Sequence, residues 1–285
     1  MEWLTKLSKS IEYIEENLTG QISYDEAAKI ACCSTYYFQR MFSYVAGVPL
    51  SKYIRDRRMT QAAFDIQTHN SKITDIGFKY GYTSPTAFNR AFQNVHGISP
   101  TAARTQGAPL KAYLPIRFKV SVTGDESMRY RIEEKEAFRI VGVRIPLSED
   151  MEENSQTVPI FWEKLWRDHR ISEITNLSEQ EHQKLLGVNI YSHPHYIFYY
   201  VAVATNKPLP KGMEEFEIPS ATWVVLQCDG HYPQSIQYMY KRFLTEWLPF
   251  SGYQYAELPD IEVYPVSDQK PTGGHSEIWI AIKKQ

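Results

Sequence analysis

The sequence predicts a two-domain protein, in which an all-α domain with two helix-turn-helix units joined by a linker helix precedes an α+β domain of tandem β-α-β-β repeats. Two observations support this fold class: an internal repeat within the first hundred residues, and a later alternation of strand-like and helix-like segments. A chain of 285 residues is also long for one domain and short for three. We expect the first domain over residues 1–107 and the second over 108–285.

The composition excludes a disordered chain and favours two folded domains of opposite charge. Hydrophobic residues make up 43% of the chain. The first 107 residues hold 12 Lys and Arg against 9 Asp and Glu, and the remainder holds 19 against 24. A mildly basic first domain is compatible with nucleic-acid binding, because binding to phosphates needs only a local basic face.

The sequence also disfavours several classes of protein. No run of residues approaches the ~20 apolar residues that span a membrane, so we expect no membrane partner and a cytoplasmic location. The cysteines Cys32, Cys33 and Cys228 lack the spaced pairs of a zinc site, and we expect them to be reduced and mostly buried. We expect no metal and no cofactor.

Two segments of the first domain repeat one another with an offset of 49 to 50 residues. Ala28 corresponds to Gly77 before the turn, and Arg40 corresponds to Arg90 after it. Each copy predicts a short helix, a tight turn and a second helix. A one-residue insertion in the second turn explains why the offset changes.

The turns and helix starts have suitable residues in both copies. Cys32 and Cys33 form the first turn, whereas Gly81 provides a conformationally permissive residue in the second. Ser34 is placed to cap the second helix of the first copy, and Thr83 or Ser84 is placed to cap that of the second. Each copy therefore predicts a helix-turn-helix unit.

The second helix of each copy is predicted to have an apolar face and a polar face. Phenylalanines spaced four residues apart indicate the core side, since such residues lie on one face of a helix. The polar side chains then face outward, where they are simply solvated or contact base edges and phosphates. Two matched copies favour the DNA-binding interpretation. The outward residues are Tyr36, Gln39, Arg40, Thr86, Asn89 and Arg90.

Residues 50–67 predict one continuous helix between the two units. Its apolar face changes direction midway, since Leu50 and Ile54 cluster on one side and Met59 and Ile66 on roughly the opposite side. Such a helix contacts two bodies. At 1.5 Å per residue it measures about 27 Å, comparable to the ~34 Å of one DNA turn. We expect its basic run, Arg55, Arg57 and Arg58, to be in ion pairs or solvated rather than on bases.

Residues 6–104 resemble the DNA-binding domain of the AraC/XylS family of transcription regulators. The matching stretches are SYDEAAKIACCSTYYFQRMF, GVPLSKYIRDRRM and ITDIGFKYGYTSPTAFNRAF, followed by GISP. The resemblance implies a transcription regulator that binds double-stranded DNA. The positions implied to contact DNA are Thr35, Tyr36, Gln39, Arg40, Ser84, Thr86, Asn89 and Arg90. We expect the first unit to supply most sequence specificity and the second to anchor phosphates.

The second domain alternates strands and helices after a proline-containing boundary segment, TQGAPLKAYLP. The pattern is β-α-β-β written twice, which predicts helices on one face of an antiparallel sheet. The predicted strands are RYRIEEKEAFRIVGVRI, KLLGVNIY, YIFYYVAVAT, TWVVLQCDG, IEVYPV and EIWIAIKK, and the predicted helices are VPIFWEKLWRDHRI and SIQYMYKRFLTEWL.

An acid beside aromatic residues provides a candidate ligand site in this domain. Strand alternation places Glu277 on the same face as Trp279, and a carboxylate beside aromatic rings suits a lipophilic cation. The alternative is that Glu277 is an ordinary exposed residue and that the aromatic residues form the core. The candidate ligand-binding residues are Glu277, Trp279, Trp162, Trp166, Tyr199 and Trp223.

This domain resembles GyrI-like effector-binding domains, which in Rob-like regulators follow an AraC-type DNA-binding domain. The stretches that carry the resemblance are VPIFWEKL, LLGVNIY and SEIWIAI, and the acid of the last one matches the pocket glutamate of the family. The resemblance favours a transcription activator that responds to a small lipophilic or cationic effector and contacts RNA polymerase. It does not imply an enzyme. The alternatives are a small-molecule hydrolase that uses Glu277 as a base, and a protein-interaction module.

Overall fold

The computed structural model describes residues 2–117, 127–179, 184–193, 196–266 and 272–284. Contacts divide the chain into two compact units, residues 1–120 and 121–285, whereas the sequence suggested a boundary after residue 107. Within the described ranges, no helix has the length and apolar character needed to cross a membrane.

The first unit is helical and contains two helix-turn-helix units, α2 with α3 and α5 with α6. Its helices are α1 (Glu2–Glu16), α2 (Tyr24–Ala31), α3 (Thr35–Ala46), α4 (Leu50–Thr68), α5 (Ile73–Lys79) and α6 (Pro85–His96). The helix starts follow the predicted capping chemistry. The hydroxyls of Ser34 and Ser84 accept hydrogen bonds from the backbone N–H groups of Tyr37 and Ala87, at 3.4 and 3.5 Å.

The two turns adopt the same left-handed backbone with different residues. Gly81 has a φ of 82°, and Cys32, which precedes it by 49 residues, has a φ of 57°. Glycine tolerates this conformation, whereas a Cβ atom is strained in it. The expectation that the cysteines are mostly buried is wrong in part, because Cys32 is exposed in this turn and Cys33 is half-buried, while Cys228 is buried.

Helix α4 packs on two cores, as its rotating apolar face predicts. Leu50, Tyr53 and Ile54 belong to the core of the first helix-turn-helix unit, with Phe38 and Phe42. The other half of α4 belongs to the core of the second unit. That half comprises Met59, Ala62, Ala63 and Ile66, packed with Phe88 and Phe92.

Residues 110–116, which we call the strap, return along α4. The backbone N–H of Tyr113 donates to the hydroxyl of Thr60 at 3.0 Å, and that of Ile116 donates to the hydroxyl of Tyr53 at 3.2 Å. Tyr113 packs on the core of the second helix-turn-helix unit, whereas Ile116 packs on that of the first. The strap therefore connects both cores, which is why the first unit extends past residue 107.

Two arginines of the linker helix hold structure within the first unit. The guanidinium of Arg57 forms an ion pair with Glu15 at 2.6 Å. Arg58 donates to the carbonyl oxygens of Leu18 and Gly20 at 3.0 and 2.5 Å. The ion pair of Arg57 agrees with the expectation that the basic run of α4 is in ion pairs or solvated, whereas Arg58 is held by backbone carbonyls.

In its described residues, the second unit is an antiparallel sheet packed with α-helices. Its strands are β1 (Tyr130–Lys135), β2 (Phe138–Pro146), β3 (Lys184–His193), β4 (Tyr196–Ala204), β5 (Glu214–Ile218), β6 (Ala221–His231), β7 (Tyr253–Tyr255), β8 (Asp260–Pro265) and β9 (Gly273–Lys284), and its helices are α7 (Met151–Arg167), α8 (Arg170–Thr175) and α9 (Gln234–Arg242). The segment predicted as one strand over 129–145 is instead two strands, β1 and β2, which lie apart in the sheet, and β5 and β7 were not predicted.

The strands form one sheet in the order β1-β6-β9-β8-β3-β4-β2-β5, with β7 also paired to β9. Residues of α7 and α8 pack with Val141, Tyr199 and Val201 on one face, which we call the helix face. The other face curls inward. Phe138 on β2 and Trp279 on β9 lie four strands apart, about 19 Å on a flat sheet, yet their ring centroids are 6.5 Å apart. We call this second face the concave face.

Candidate DNA interface and effector site

The predicted contact residues of α3 are enclosed rather than outward-facing. Tyr36, Gln39 and Arg40 are 8%, 3% and 4% exposed. The guanidinium of Arg40 folds along its own helix and donates to the hydroxyl of Tyr44 at 3.2 Å, one turn later. Thr35 at the helix start donates to the carboxylate of Asp25 at 2.5 Å. The expectation that this polar face is outward is therefore not met in the structure.

The corresponding face of α6 is open to solvent. Thr86, Asn89 and Arg90 are exposed, and half-buried Ser84 caps the helix. A side-chain amide and a guanidinium are groups that bond base edges and phosphates. The second unit, rather than the first, presents its predicted contact residues in this structure.

The structure does not bring the six predicted ligand-binding residues together. Strand pairing fixes their faces, since directly paired residues of an antiparallel sheet share a face. Trp223, Glu277 and Trp279 lie on the concave face, whereas Tyr199 lies on the helix face together with Trp162 and Trp166 of α7. The predicted site is thus two separate groups of residues.

The carboxylate of Glu277 already has cationic partners. Arg131 on β1 donates to it at 2.7 Å, the indole N–H of Trp279 donates at 2.9 Å, and the ammonium of Lys184 lies 3.8 Å away. Burial raises the pKa of Glu277, but the hydrogen bonds from Arg131 and Trp279 and the charge of Lys184 outweigh burial and lower it. The ammonium of Lys135 occupies a position 4.3 Å from the Trp279 ring. A ligand cation would have to displace these groups.

Trp223 belongs to the core of the concave face. Its side chain is fully buried and packs with Tyr200, Val225 and Ala281. Trp223 is therefore a core residue, as the alternative interpretation of the aromatic residues expected.

A different acid occupies the centre of the helix face. Glu262 on β8 is 8% exposed. The hydroxyls of Tyr199 on β4 and Tyr264 on β8 each donate to its carboxylate at 2.9 Å. The indole N–H of Trp162 on α7 donates to the hydroxyl of Tyr199 at 3.0 Å. A chain of donors from helix to sheet therefore ends on this carboxylate.

Aromatic rings surround the same acid. The ring of Tyr264 lies edge-on to Trp162 at 5.4 Å and to Tyr232 at 5.1 Å between centroids. Burial, together with the charge of Glu262, raises the pKa of Tyr264 well above its usual value, so its hydroxyl keeps its proton. Such a cluster combines one negative charge with several π faces, the arrangement that attracts an organic cation.

Glu262 is not among the predicted site residues, although its strand was predicted. The available signal was the alternation of Asp260, Glu262 and Tyr264 in a strand whose intervening residues are apolar. Acids on one face of a buried strand require polar partners. Trp162 and Tyr199, which were predicted as ligand-binding residues, lie in this cluster.

Comparisons with known proteins match both units. A family model described as an integron-associated effector binding protein matches residues 131–282, just over half of the chain, and a helix-turn-helix domain model matches residues 27–106. The chain is 35% identical over 115 residues to the HTH-type transcriptional activator AarP of Providencia stuartii, covering 40% of this chain and 85% of AarP. It is 36% identical over 94 residues to the regulatory protein SoxS of Salmonella typhimurium, covering 33% of this chain and 88% of SoxS.

A solved structure is also similar to part of the chain. The integron cassette protein from the mobile metagenome of Vibrio cholerae is 19% identical, with a TM-score of 0.39, covering 54% of this chain and 95% of that protein. Together with the sequence relatives, the two units define a DNA-binding transcription regulator with an effector-binding domain. The chain belongs to the AraC family of transcription regulators, and its second unit belongs to the integron-associated effector binding protein family.

Proposed function

We propose that this regulator senses a lipophilic organic cation through the Glu262 cluster on the helix face. The observation that carries the proposal is a buried carboxylate that accepts hydroxyl donors from two strands amid aromatic rings. A buried carboxylate is stabilised by a matching positive charge. The rings of Trp162, Tyr232 and Tyr264 add cation–π attraction and apolar contact.

Calorimetry on the full chain tests the class of ligand. Benzyltrimethylammonium and its uncharged carbon analogue, neopentylbenzene, differ in charge but hardly in shape. Glu262→Gln is expected to weaken binding of the cation roughly tenfold or more and to leave the neutral compound nearly unaffected. Equal losses for both ligands would remove the argument from charge.

Glu277→Gln is the matched control for this measurement. It makes the same change on the concave face, where Arg131 is the partner of the carboxylate. We expect the affinity for benzyltrimethylammonium to stay unchanged. If Glu277→Gln weakens binding and Glu262→Gln does not, the originally predicted site around Glu277 and Trp279 is the correct one.

We propose that the DNA interface comprises the predicted contact residues of α3 and α6. Arg90→Ala is expected to weaken operator binding by about 1–3 kcal/mol, and Arg40→Ala by a similar amount if α3 also contacts DNA. Lys29→Ala removes one exposed charge outside both recognition helices and serves as the control. Gel-shift titration with unchanged operator affinity for both arginine variants would contradict the interface.

Effector control requires that the ligand binds two states of the protein with different affinity. We propose that residues 1–107 together with the strap form the DNA-binding domain, that the second unit is the sensor, and that the regulator activates transcription in the cytoplasm through contact with RNA polymerase. The named activator among the relatives supports this assignment. Transcription in vitro with and without benzyltrimethylammonium distinguishes activation from repression.

The proposed sensor comprises two β-α-β-β repeats, β2-α7-β3-β4 and β6-α9-β8-β9. The strand order supports this assignment, because β3-β4-β2 on one side of the sheet centre mirrors β8-β9-β6 on the other. Glu262 and its cross-strand neighbour Gly187 lie where the two repeats meet. A repeat boundary is a common place for a ligand site.

The observed pairing of an acid with tyrosine hydroxyls also keeps the hydrolase alternative testable. Glu262, rather than Glu277, would then be the base. Ester turnover by the full chain that disappears in Glu262→Gln would favour an enzyme, whereas binding without turnover favours a sensor.

A further inference from the structure

Strand β1 ends the sheet with an edge that carries exposed apolar side chains. In the described part of the sheet, β1 is paired along one side, to β6. Its side chains Tyr130 and Ile132 are 52% and 41% exposed. Tyr130 contacts Trp247 with ring centroids 5.4 Å apart, and Phe250 nearby in sequence is 67% exposed. An apolar sheet edge is a template for pairing with another strand.

The opposite edge of the sheet is protected by charge. Strand β5 carries Glu214, Glu215 and Glu217 within five residues. If two copies of β5 paired antiparallel with matching faces, the central registers would place glutamates opposite one another. Like charges directly opposite one another destabilise a strand pair. The two edges of this sheet therefore differ in their capacity for self-pairing.

Strand β1 is complementary to itself in one register. Pairing two antiparallel copies about Ile132 places Ile132 opposite its own equivalent and Tyr130 opposite Glu134 of the second copy. On the concave face, the same register places Arg131 opposite Glu133 of the second copy, twice by symmetry. Opposite charges in such cross-strand positions stabilise the pair.

The neighbouring registers lack this complementarity. Shifting by one pair in one direction places Arg131 opposite its own equivalent, and shifting in the other direction places Glu133 opposite its own equivalent. A shift that exchanges the faces would move the apolar side chains away from one another. The side chains of Arg131 and Glu133 are 39% and 31% exposed, so both are accessible to a second copy.

We propose that two copies of this chain associate through β1, pairing antiparallel about Ile132 to make one continuous sheet. The interface is short and its association depends on concentration. Each such dimer would carry two DNA-binding units, and therefore four helix-turn-helix units. This proposal is independent of what the Glu262 cluster binds.

Sedimentation velocity of the full chain over a range of concentrations measures the association. Ile132→Lys places like charges opposite one another at the symmetry axis and is expected to raise the dissociation constant roughly tenfold or more. Leu209→Lys, at an exposed leucine outside β1, is the control and is expected to leave it unchanged. A chain that stays monomeric at every soluble concentration, or a dimer indifferent to Ile132→Lys, would overturn the proposal.

A charge cycle identifies the register. Tyr130 and Glu134 lie four residues apart on one strand, about 13 Å, too far for direct contact within one chain. Tyr130→Lys should strengthen the dimer and Tyr130→Glu should weaken it, each by several-fold. Adding Glu134→Lys to Tyr130→Glu should restore association. Independent effects of the two positions would contradict this register, and thermal melts establish that each variant folds.

Discussion

The hydroxyl of Tyr199 reaches across strand β3 to donate a hydrogen bond to the carboxylate of Glu262 on β8, at 2.9 Å. The strand between them has Gly187 at the crossing point. A Cβ atom built on Gly187 would lie 2.3 Å from the Tyr199 hydroxyl oxygen and 3.0 Å from a carboxylate oxygen of Glu262. Because Gly187 has no side chain, the hydroxyl of Tyr199 can reach the carboxylate of Glu262.

Gly187→Ala is expected to lower the free energy of unfolding by about 1–3 kcal/mol, because its methyl group overlaps the Tyr199 hydroxyl. Tyr199→Phe removes that oxygen and should relieve part of the cost. In the double variant we expect a coupling of about 1 kcal/mol, measured by chemical denaturation of the four proteins. Strictly additive losses would mean that the glycine serves some other purpose.

Thr60→Val tests the attachment of the strap to the linker helix. The substitution keeps the shape of the side chain but leaves the N–H of Tyr113 without its acceptor, which should cost about 1–3 kcal/mol of unfolding free energy. Thr68→Val is the matched control on the same helix. Both hydroxyls donate to a carbonyl four residues earlier, but that of Thr68 is exposed. Equal effects of the two variants would assign the loss to the helix rather than to the strap.

His96 makes the first unit sensitive to acid. Its Nδ1 accepts from the N–H of Lys111 at 3.2 Å, and its Nε2 lies 3.1 Å from the carbonyl of Met59, so a neutral ring protonated on Nε2 satisfies both contacts. Burial lowers the pKa of His96 below 6.5. The unfolded chain then binds the proton more readily than the folded one as pH falls below about 6.5.

The contribution of neutral His96 to stability is therefore complete above that pH and is lost as pH falls toward the pKa of the folded protein. Urea unfolding of the wild type and of His96→Gln between pH 5 and 8 measures this contribution as a difference, in which the other histidines cancel. The stability gap should be widest at high pH and should narrow in acid. A constant gap would show that the ring does not titrate differently on folding.

Cys32→Gly is expected to stabilise the first unit by about 1 kcal/mol, because it relieves a Cβ atom in a left-handed turn. Gly81→Cys in the second turn should do the reverse, with added crowding from Arg58, whose Nη1 would lie 3.0 Å from the new Cβ atom. Thermal denaturation of both variants provides the comparison. A loss of stability in Cys32→Gly would indicate that the thiol itself holds the turn.

The helical unit could be predicted closely because its determinants are local. The caps Ser34 and Ser84, and the change of face between Ile54 and Met59, follow from spacing along one helix. The alternation of Glu277 and Trp279 was predicted correctly for the same reason, since it is a property of one strand.

The proposed effector site could not be predicted as well, because it depends on register between strands. Whether Tyr199 shares a face with Glu262 or with Trp279 is decided by the pairing of β4, β3, β8 and β9, which no single segment encodes. Strand β5 was not predicted because its glutamates hide the apolar alternation of a strand. Such charges are common on strands at the edge of a sheet. Burial of Arg40 and exposure of Arg90 also depend on tertiary packing, although the two sequence repeats are alike.

The strap has a practical consequence for anyone who wishes to transplant this DNA-binding unit onto a different sensor. A graft cut after residue 107 would discard Tyr113 and Ile116. The hydroxyls of Thr60 and Tyr53 would then lose the hydrogen bonds that they accept from the backbone N–H groups of these two residues. The transplanted piece should instead extend through residue 117. The portable module of this regulator is thus longer than its sequence repeat.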